Sequence, residues 1–544
     1  MELIILYSDV AIVSYPSPLD SCHAVALDCV FANEPGLSDD WSATFLRIPK
    51  ATNDLIEKHG GTRLCDMGMA DAANSDMFSD FDTWSELILW PAINLKFGRA
   101  SSEGDVQSKS ALHVDVSSSM RASTLGLQLQ EGYVLENKLL TTPDVPAKRM
   151  LRFKLPPDTT YQCGDYLIVL PVNPAHAVCR AIRRFNISWD SMLTVRKPSH
   201  ASDGITNMPL ETPISAFELF STYVELSQPA SKRDLITLAD AATTDTDAQA
   251  ELQSLASSPN RFTEEVINNR LSPLDILIRH PSINLPLSTF LEMLPPLRVR
   301  QYSISSSPLA SQSDCTITFS VLSSPHLSTE NKRFVGVAST YLSELQAGDR
   351  VQISIRASNN KGFKPPLKEE TPMIMACAGS GLAPFRGFIM DRAERNRGRR
   401  TELLSDDDHP EIGKPARAIL YIGCRTKGKD DIHASELDEW TRQGAVDVRW
   451  AYSRPTDRSP GRHVQDLMFE DRNELLELID QGARIYVCGG MSVGQGIRQV
   501  FKDMFIERCR EVLENGSDGD EDVAAEEYLD SLKTEERYAT DVFT

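Results

Sequence analysis

The chain of 544 residues is long enough for three or four domains, each with a core of its own. Its composition, 41% hydrophobic and 24% charged, is that of a soluble globular protein. Lysine and arginine number 56 against 77 aspartate and glutamate residues, and the net charge of -21 argues against nucleic acid as a ligand. The ten cysteines include no CxxC pair, so we expect neither a metal site nor a disulfide framework, and we expect a reducing, cytoplasmic location.

Residues 1–98 combine strand-like and helix-like stretches. SCHAVALDCVFA predicts a buried strand, ATNDLIEKHGG a helix that ends at glycine, and DTWSELILWPAINLKFG an amphipathic helix. This order is that of one half of a doubly wound α/β domain. The apolar start is interrupted by Glu2 and Asp9 and has no basic region before it, so we expect neither a signal peptide nor a membrane span.

The pattern changes twice in the rest of the chain. Residues 99–133 are polar and serine-rich, which predicts a linker. Alternating segments such as AKRMLRFKLP and CTITFSVLSS then predict antiparallel strands, with a mainly helical stretch at about 175–295. From residue 367, the apolar runs TPMIMACAG, RAILYIGCR, VDVRWAYSR and ARIYVCGG each precede a helical stretch. Strands that alternate with helices predict a parallel, doubly wound sheet with ligands at the carboxyl ends of its strands.

The strand-like segment RQYSISS, residues 300–306, carries side chains that suit a flavin. Arg300 and Tyr302 share one face because strand side chains alternate. Arg300 can pair with a pyrophosphate, Tyr302 can stack against an isoalloxazine ring, and Ser303 can hydrogen-bond the reducible edge of that ring. An ordinary exposed strand is an equally good interpretation of these seven residues alone.

Two glycine-containing segments predict anion sites at helix N-termini. Residues 336–339 read GVAS and start a helix whose free N–H groups and dipole attract an anion. Residues 378–388, AGSGLAPFRGF, follow a predicted strand and start another helix. Gly379 and Gly381 allow the backbone to approach a pyrophosphate, and Pro384 fits the first helical turn. The strand before and the helix after are the context that a nucleotide-binding loop requires.

Together these motifs resemble the ferredoxin:NADP reductase group. Within that group the chain looks like a diflavin reductase of the NADPH:cytochrome P-450 reductase type, and most like the reductase half of self-sufficient cytochrome P-450 fusions. The resemblance implies an FAD-binding antiparallel β-barrel over residues 134–366, with a helical insert at about 175–295, and an NADP(H)-binding doubly wound α/β domain over residues 367–544. It also implies that residues 1–98 are a partial flavodoxin-like α/β segment.

The resemblance also implies which residues form the site. For FAD these are Arg300, Tyr302, Ser303, Ser306, Gly336, Val337, Ala338, Ser339 and Phe543. For NADPH they are Gly379, Ser380, Gly381, Pro384, Arg425, Ser453, Arg454, Arg462 and Cys488. Ser303, Cys488 and Asp541 are the implied catalytic residues. Arg425 is interpreted equally well as a solvated loop arginine, and Cys488 by itself could be a buried strand thiol.

The chain departs from the family pattern at several positions. The ending RYATDVF matches Arg-Tyr-x-x-Asp-Val-Trp with Phe543 in place of tryptophan, where an aromatic ring covers the flavin and must leave for reaction. A lysine and a tyrosine that contact the nucleotide are replaced by Gly461 and His463, with Arg458 and Arg462 nearby as substitutes. We therefore expect a preference for NADPH over NADH, which these replacements weaken.

The implied activity is that of a flavoprotein oxidoreductase that takes a hydride from NADPH onto FAD and passes single electrons to a haem protein or a flavodoxin-like acceptor. Family members send these electrons through FMN. No Ser/Thr-rich phosphate loop precedes residue 30, and the later loop at 32–40 adds carboxylates, so we predict weak or no FMN binding. A sulfite reductase flavoprotein or another diflavin relative, and a flavin-free binding module, are the alternatives.

Overall fold

A computed structural model of the chain describes residues 127–196, 208–325, 333–360, 362–403, 415–455, 460–512 and 520–543 continuously. Before residue 127 it describes short stretches: 2–6, 11–15, 25–26, 29–32, 54–55, 57–59, 65–66, 68–71, 83–97, 113–114 and 124–125. The chain divides into two units, residues 1–110 with 231–233, and residues 111–230 with 234–544. Among the described residues, none of the helices is long and apolar enough to span a bilayer.

In the part that the structure describes, the first unit contains short strands, helical residues at 54–55 and 57–58, and a longer helical segment before residue 98. Its strands are Glu2–Leu6, Ala11–Tyr15, Val25–Ala26, Cys29–Ala32 and Gly68–Asp71, and its helices are Ser85–Leu89, which is of π type, and Trp90–Phe97. The strand Cys29–Ala32 pairs in parallel with Gly68–Asp71, whereas Glu2–Leu6 pairs antiparallel with Ala11–Tyr15. Trp84 and Leu89 are buried in the helical segment. Residues 33–40, which contribute to the FMN prediction, lie outside the described residues.

Six antiparallel strands form the first sheet of the second unit. Their order is Arg300–Ser303, Tyr166–Val169, Arg350–Arg356, Gln130–Leu139, Lys148–Lys154 and Asp314–Ser320. One face carries a fully buried apolar core that includes Leu151, Phe153, Leu167, Val169, Ile317 and Ile353. An isolated antiparallel bridge pairs Ile304 with Ile317, so the two edges of this sheet touch at that point. Residues 130–133, expected in the linker, belong to this sheet because they pair with residues 350–353.

The segment between Tyr166–Val169 and Arg300–Ser303 is mainly helical, as predicted. Its helices are Ala175–Arg184, Ala216–Thr222, Lys232–Ala241, Thr246–Ser257, Pro259–Arg261, the π-helix Phe262–Ile267, Pro273–Arg279 and Leu287–Met293. Two short strand pairs accompany them, Met192–Leu193 with Ile214–Ser215 and His113–Val114 with Val195–Arg196. Apolar faces at helical spacing pack into one core around Phe220, Tyr223 and Phe290. After the antiparallel strand Asp314–Ser320, the paired strands Ser323–Pro325 and Arg333–Val335 lead into the helix Val337–Glu344.

Five parallel strands form the second sheet, in the order Asp447–Tyr452, Ala418–Cys424, Met373–Ala378, Arg484–Gly490 and Tyr538–Phe543. The helices that cover it are Leu382–Leu403, Ala434–Arg442, Val464–Glu470, Arg472–Asp480, Met491–Val512 and Asp520–Thr534. Met373, Met375 and Cys377 belong to one core, whereas Ile374 and Ala376 belong to another. Both faces of the sheet are therefore buried, as expected for a doubly wound domain.

The fifth parallel strand, Tyr538–Phe543, is absent from the sequence-based predictions. The other four strands coincide with the four apolar runs. The segment YATDVF lies at an edge of the sheet, and its last three residues are partly or largely exposed, so it lacks a clear apolar pattern. Its place is decided by pairing with the strand Arg484–Gly490, from Ile485 opposite Tyr538 to Gly490 opposite Phe543.

Candidate active site

The order of the parallel strands reverses between Met373–Ala378 and Arg484–Gly490, where ligands of such sheets usually bind. A short 3₁₀ turn, Gly379–Gly381, follows the first of these strands and continues into the helix Leu382–Leu403. A methyl group on residue 381 would lie 2.4 Å from the carbonyl oxygen of Cys488. Glycine is therefore required at residue 381, where the turn contacts the end of the strand Arg484–Gly490. The N-terminus of the helix Leu382–Leu403 lies at the carboxyl edge of the sheet, where its N–H groups can bind an anion.

Residues of both sheets meet at the carboxylate of Asp541. The Ser303 hydroxyl donates to Oδ2 of Asp541 at 2.9 Å, and the Tyr166 hydroxyl donates to Oδ1 at 3.0 Å. Asp541 also lies opposite Cys488 in the register of the parallel sheet. The structure thus brings together the three residues predicted for catalysis, Ser303, Cys488 and Asp541, and adds Tyr166 to them.

Two of these groups stay protonated near neutral pH. Burial raises the pKa of the Cys488 thiol well above its usual value, and the charge of Asp541 raises it further. Burial and Asp541 also raise the pKa of Tyr166. The cluster therefore combines a neutral thiol and a phenol that donates a hydrogen bond with one carboxylate.

A cleft of about 710 Å³ lies at the carboxyl edge of the parallel sheet beside this cluster. Six of the residues predicted to contact a nucleotide line it: Gly379, Ser380, Arg425, Ser453, Arg462 and Phe543. The Phe543 side chain is 46% exposed at the end of the fifth strand, opposite Gly490. A glycine turn, a helix N-terminus and several cations in one cleft are what a dinucleotide with a phosphorylated ribose needs.

Other predicted nucleotide contacts lie behind or outside this lining. Gly381 and Cys488 are buried under the cleft, and Arg454 is exposed beyond it. A side chain at Gly461 would come within 2.3 Å of the carbonyl oxygen of Ser453, so the returning loop has no room for the lysine of the family. Arg458, the other predicted substitute, lies outside the described residues.

The strand Arg300–Ser303, which is predicted to face a flavin, begins at the partly exposed Arg300. One guanidinium nitrogen of Arg300 lies 2.9 Å from Oε2 of the buried Glu225, and another donates to the carbonyl oxygen of Arg298. The Tyr302 ring packs edge-on against Phe319, with ring centroids 5.7 Å apart. Glu225 therefore holds the guanidinium group of Arg300 in place, and the remaining N–H groups of Arg300 are available for the predicted contact with a pyrophosphate.

The predicted anion site at residues 336–339 is a helix start, because Gly336 precedes the helix Val337–Glu344. Ser339 Oγ donates to the Gly336 carbonyl at 3.3 Å and accepts from the N–H of Leu322 at 3.1 Å, so it shapes this turn. Ser306 is placed differently. Its hydroxyl is buried, lies 2.9 Å from the Tyr161 hydroxyl and accepts from the N–H of Thr316. Arg300, Ser303 and the N-terminus of the helix Val337–Glu344 are therefore suited to contact FAD. The Ser306 hydroxyl instead has its hydrogen-bond partners within the protein.

Two residues of the site are missed by the sequence-based reasoning. Lys148 lines the nucleotide cleft with its Nζ 3.3 Å from the Asp430 carboxylate, and both side chains are almost fully buried. Tyr166 binds Asp541, as described above. Each occupies an ordinary position in an alternating strand, and the sequence contains no signal that links either of them to residues hundreds of positions away.

Two family models match the chain. One describes an FAD binding domain and matches residues 150–341, and the other describes an oxidoreductase NAD-binding domain and matches residues 375–499. A bifunctional cytochrome P450/NADPH–P450 reductase of Aspergillus oryzae is 57% identical over 513 residues, which are 93% of this chain and 46% of the relative. A protein of the same description from Fusarium oxysporum is 44% identical, over 93% of this chain and 44% of its own. A self-sufficient cytochrome P450 monooxygenase of Phanerodontia chrysosporium is 37% identical, over 93% and 45%.

The antiparallel sheet, the doubly wound sheet and the two matched domains define an oxidoreductase that binds FAD and a nicotinamide dinucleotide. Within this class, the chain is similar to the reductase half of proteins that join an NADPH–P450 reductase to a cytochrome P450. It spans about half the length of the curated relatives it matches. The expectation of FAD and NADPH as cofactors is confirmed.

Proposed function

We propose that this chain takes a hydride from NADPH onto FAD and releases the electrons one at a time to a haem protein of the cytochrome P450 type. The observation that supports the proposal most directly is the meeting of Ser303, Asp541 and Cys488 beside a cleft that contains the glycine turn and Arg425 and is lined by Phe543. FAD, when bound, supplies a ring system that accepts two electrons and gives them up singly. The residues of the chain would bind and orient the two nucleotides.

On the flavin side, Arg300 would pair with the pyrophosphate of FAD, with Glu225 holding the opposite side of its guanidinium group. The N–H groups at the start of Val337–Glu344 offer a second anion site. Ser303 would contact the reducible edge of the flavin, because Asp541 fixes the direction of its hydroxyl. We also propose that the antiparallel sheet closes into a barrel at the bridge between Ile304 and Ile317.

On the nucleotide side, the turn Gly379–Gly381 would bind the pyrophosphate of NADPH. Lys148 and Arg425 line the same cleft and would add positive charge near the phosphates. Ser453 and Arg462 would contact the 2′-phosphate, with Arg454 at the rim. Hydrogen bonds to a charged group contribute roughly 1.5 to 3 kcal/mol each, so two of them favour NADPH over NADH by about a hundredfold or more.

Flavin analysis of the purified chain, followed by anaerobic mixing with NADPH, tests this proposal. We expect one FAD per chain, little or no FMN, and bleaching of the flavin absorbance on mixing with NADPH. NADH should bleach the flavin far more slowly at equal concentration. A colourless protein would instead support the flavin-free binding module, and equal amounts of FAD and FMN would overturn the account of residues 1–98.

The electron acceptor is proposed from the relatives, whose names describe a cytochrome P450 joined to a reductase. Because we expect little FMN, reduction of dyes and of an added flavodoxin-like carrier should be faster than direct reduction of a haem protein. Titration of the reduced chain with cytochrome c, with and without an added flavodoxin, measures this difference. A reducing compartment such as the cytoplasm fits the eight free thiols among the described residues.

A further inference from the structure

Tyr166 contacts the proposed hydride-transfer site, but the function proposed above assigns it no part. It is the first residue of the strand Tyr166–Val169, and Ser303 is its direct partner on the neighbouring antiparallel strand. Side chains of directly paired residues stand next to each other on the same face of a sheet. Tyr166 and Ser303 therefore approach the same carboxylate from one sheet, while Asp541 belongs to the other.

The two hydroxyl groups bind different oxygens of the Asp541 carboxylate. Ser303 Oγ donates to Oδ2 of Asp541 at 2.9 Å, and the Tyr166 hydroxyl donates to Oδ1 at 3.0 Å. With donors on both oxygens, the carboxylate cannot rotate about its bond to Cβ without breaking a hydrogen bond. With Ser303 alone, rotation of the carboxylate would change the direction in which the serine hydroxyl points.

The tyrosine is suited to a fixed donor role. Its side chain is partly buried, and burial together with the charge of Asp541 raises its pKa, so it keeps its proton over the neutral range. Hydrogen bonds to an ionised acceptor are also stronger and more directional than those between neutral groups. The phenol can therefore donate its hydrogen bond to Asp541 over the neutral range.

We propose that Tyr166 is a positioning residue of the hydride-transfer site, which holds one oxygen of Asp541 so that the other stays aligned with Ser303. This inference rests on the proposed NADPH-to-FAD reaction. In that reaction one hydride, which is two electrons with one proton, leaves NADPH for FAD, and Tyr166 neither gains nor loses a proton. Its contribution is geometric, and small errors of placement near a reacting atom slow the reaction strongly.

The test replaces Tyr166 with phenylalanine in the full chain with FAD bound. In anaerobic stopped-flow mixing, we expect the limiting rate of flavin reduction by NADPH to fall about 10- to 100-fold, which is the range that corresponds to one lost hydrogen bond to a charged group. The FAD content and the dissociation constant for NADP⁺, measured by calorimetry, should stay within about twofold of wild type, because Tyr166 is not among the residues that line the cleft and Arg300 pairs with Val169 at the other end of the strand. A fall in FAD content, or a weaker affinity for NADP⁺ that accounts for the slower rate, would overturn the positioning role.

A double substitution shows whether Tyr166 acts through Asp541. Asp541→Asn alone should slow flavin reduction, and adding Tyr166→Phe should then cost little more, since the carboxylate that the tyrosine holds is already gone. Independent, multiplicative losses in the double variant would contradict the proposal. This cycle also keeps the test decisive if Tyr166→Phe alone lowers the melting temperature.

Tyr421→Phe is the matched control. Tyr421 is a buried tyrosine that also donates to a carboxylate, with its hydroxyl 2.9 Å from Oδ2 of Asp471. Its side chain belongs to a core on the other face of the parallel sheet from Cys488. We expect a normal rate of flavin reduction in this variant. Wild-type protein that NADPH fails to reduce would overturn the proposed function and the Tyr166 inference together. A wild type that is reduced normally, alongside an equally fast Tyr166→Phe variant, would overturn the role of Tyr166 alone.

Discussion

Phe543 lies both at the end of a strand and in the lining of the proposed nucleotide cleft. It ends the fifth parallel strand opposite Gly490, and its half-exposed ring lines the nucleotide cleft. A cover over a flavin has to stay in place without NADPH and leave when the nicotinamide arrives. A phenyl ring stacks over a smaller area than an indole ring does, so this chain should release its cover more easily than relatives that carry tryptophan.

Phe543→Trp should therefore slow the reduction of FAD by NADPH several-fold, because the larger ring is harder to displace. Stopped-flow measurement of the limiting rate checks this. Phe217→Trp is the control, since Phe217 is a similarly exposed aromatic residue in the helical segment and should leave the rate unchanged. Equal rates in Phe543→Trp and wild type would contradict the cover role.

Gly381→Ala should abolish most NADPH-dependent reduction while the protein keeps its FAD. The added methyl group would meet the Cys488 carbonyl oxygen at 2.4 Å, so the loop and the strand end must move apart at the proposed nicotinamide site. Reduction by dithionite should stay normal. In Gly398→Ala, where a methyl group meets no atom within 4 Å, we expect full activity. Normal NADPH oxidation by Gly381→Ala would show that this close contact is not needed.

At the scale of elements, the helix Leu382–Leu403 connects the nucleotide loop to the antiparallel sheet. Arg386, in its second turn, is almost fully buried and donates to the Ser305 carbonyl at 2.6 Å. Its other nitrogens form two hydrogen bonds to Glu436, at 2.6 and 2.9 Å. One guanidinium group thus fixes the helix against the antiparallel sheet on one side and against the helix Ala434–Arg442 on the other.

Arg386→Met should destabilise the protein by about 2 to 4 kcal/mol, because Glu436 and the Ser305 carbonyl lose a buried partner. The loss should be smaller than for a fully buried pair, since Glu436 is partly exposed. Urea unfolding followed by circular dichroism measures the change. Arg397→Met is the control: its pair with Glu394 involves a largely exposed arginine three residues along the helix, and it should cost about 0.5 kcal/mol or less. Similar losses in both variants would contradict a special role for Arg386.

At the scale of the whole molecule, the two sheets of the second unit are joined by a polar seam, which we define as Arg386, His433, Glu436, Thr316 and Thr318. Nδ1 of His433 lies 2.6 Å from Glu436, and Nε2 lies 3.1 Å from the Thr318 hydroxyl. Burial lowers the pKa of His433. Burial alone would raise the pKa of Glu436, but the hydrogen bonds from His433 and Arg386 outweigh it and hold that pKa below its usual range.

Both shifts make the seam sensitive to acid. A carboxyl group with a lowered folded-state pKa adds stability above its ordinary value of 4.5 and loses that contribution as the pH falls below it. A histidine with a lowered pKa also loses stability as the pH falls, beginning near its ordinary value of 6.5. Urea midpoints should therefore decrease from about pH 6.5 and fall further below 4.5. Glu436→Gln should reduce the decrease of the urea midpoint below pH 4.5. Glu394→Gln makes the same chemical change in the ion pair with the largely exposed Arg397, and it should leave that decrease as it is in wild type. An unchanged slope in Glu436→Gln would contradict this account.

The sequence by itself determined most of the local structure and pointed to the two nucleotides. Period-two and helical patterns predicted the antiparallel strands, the helical segment and four of the five parallel strands. Burial of a strand or helix face requires apolar residues at regular spacing, and this spacing is visible in the sequence. The glycine loop at 379–381 and the motif around Ser303 indicated the two nucleotides, since phosphate binding at a helix N-terminus needs few residues close together in the chain.

The tertiary structure alone decided how the site is assembled. Ser303 and Tyr166 lie 238 and 375 positions from the Asp541 carboxylate that they share, and Lys148 lies 282 positions from Asp430. The pairing of the fifth parallel strand and the contact of Arg300 with Glu225 also join residues that are far apart in the chain. The sequence around a strand residue does not predict its distant contact partner, because that contact depends on how the two sheets pack against each other.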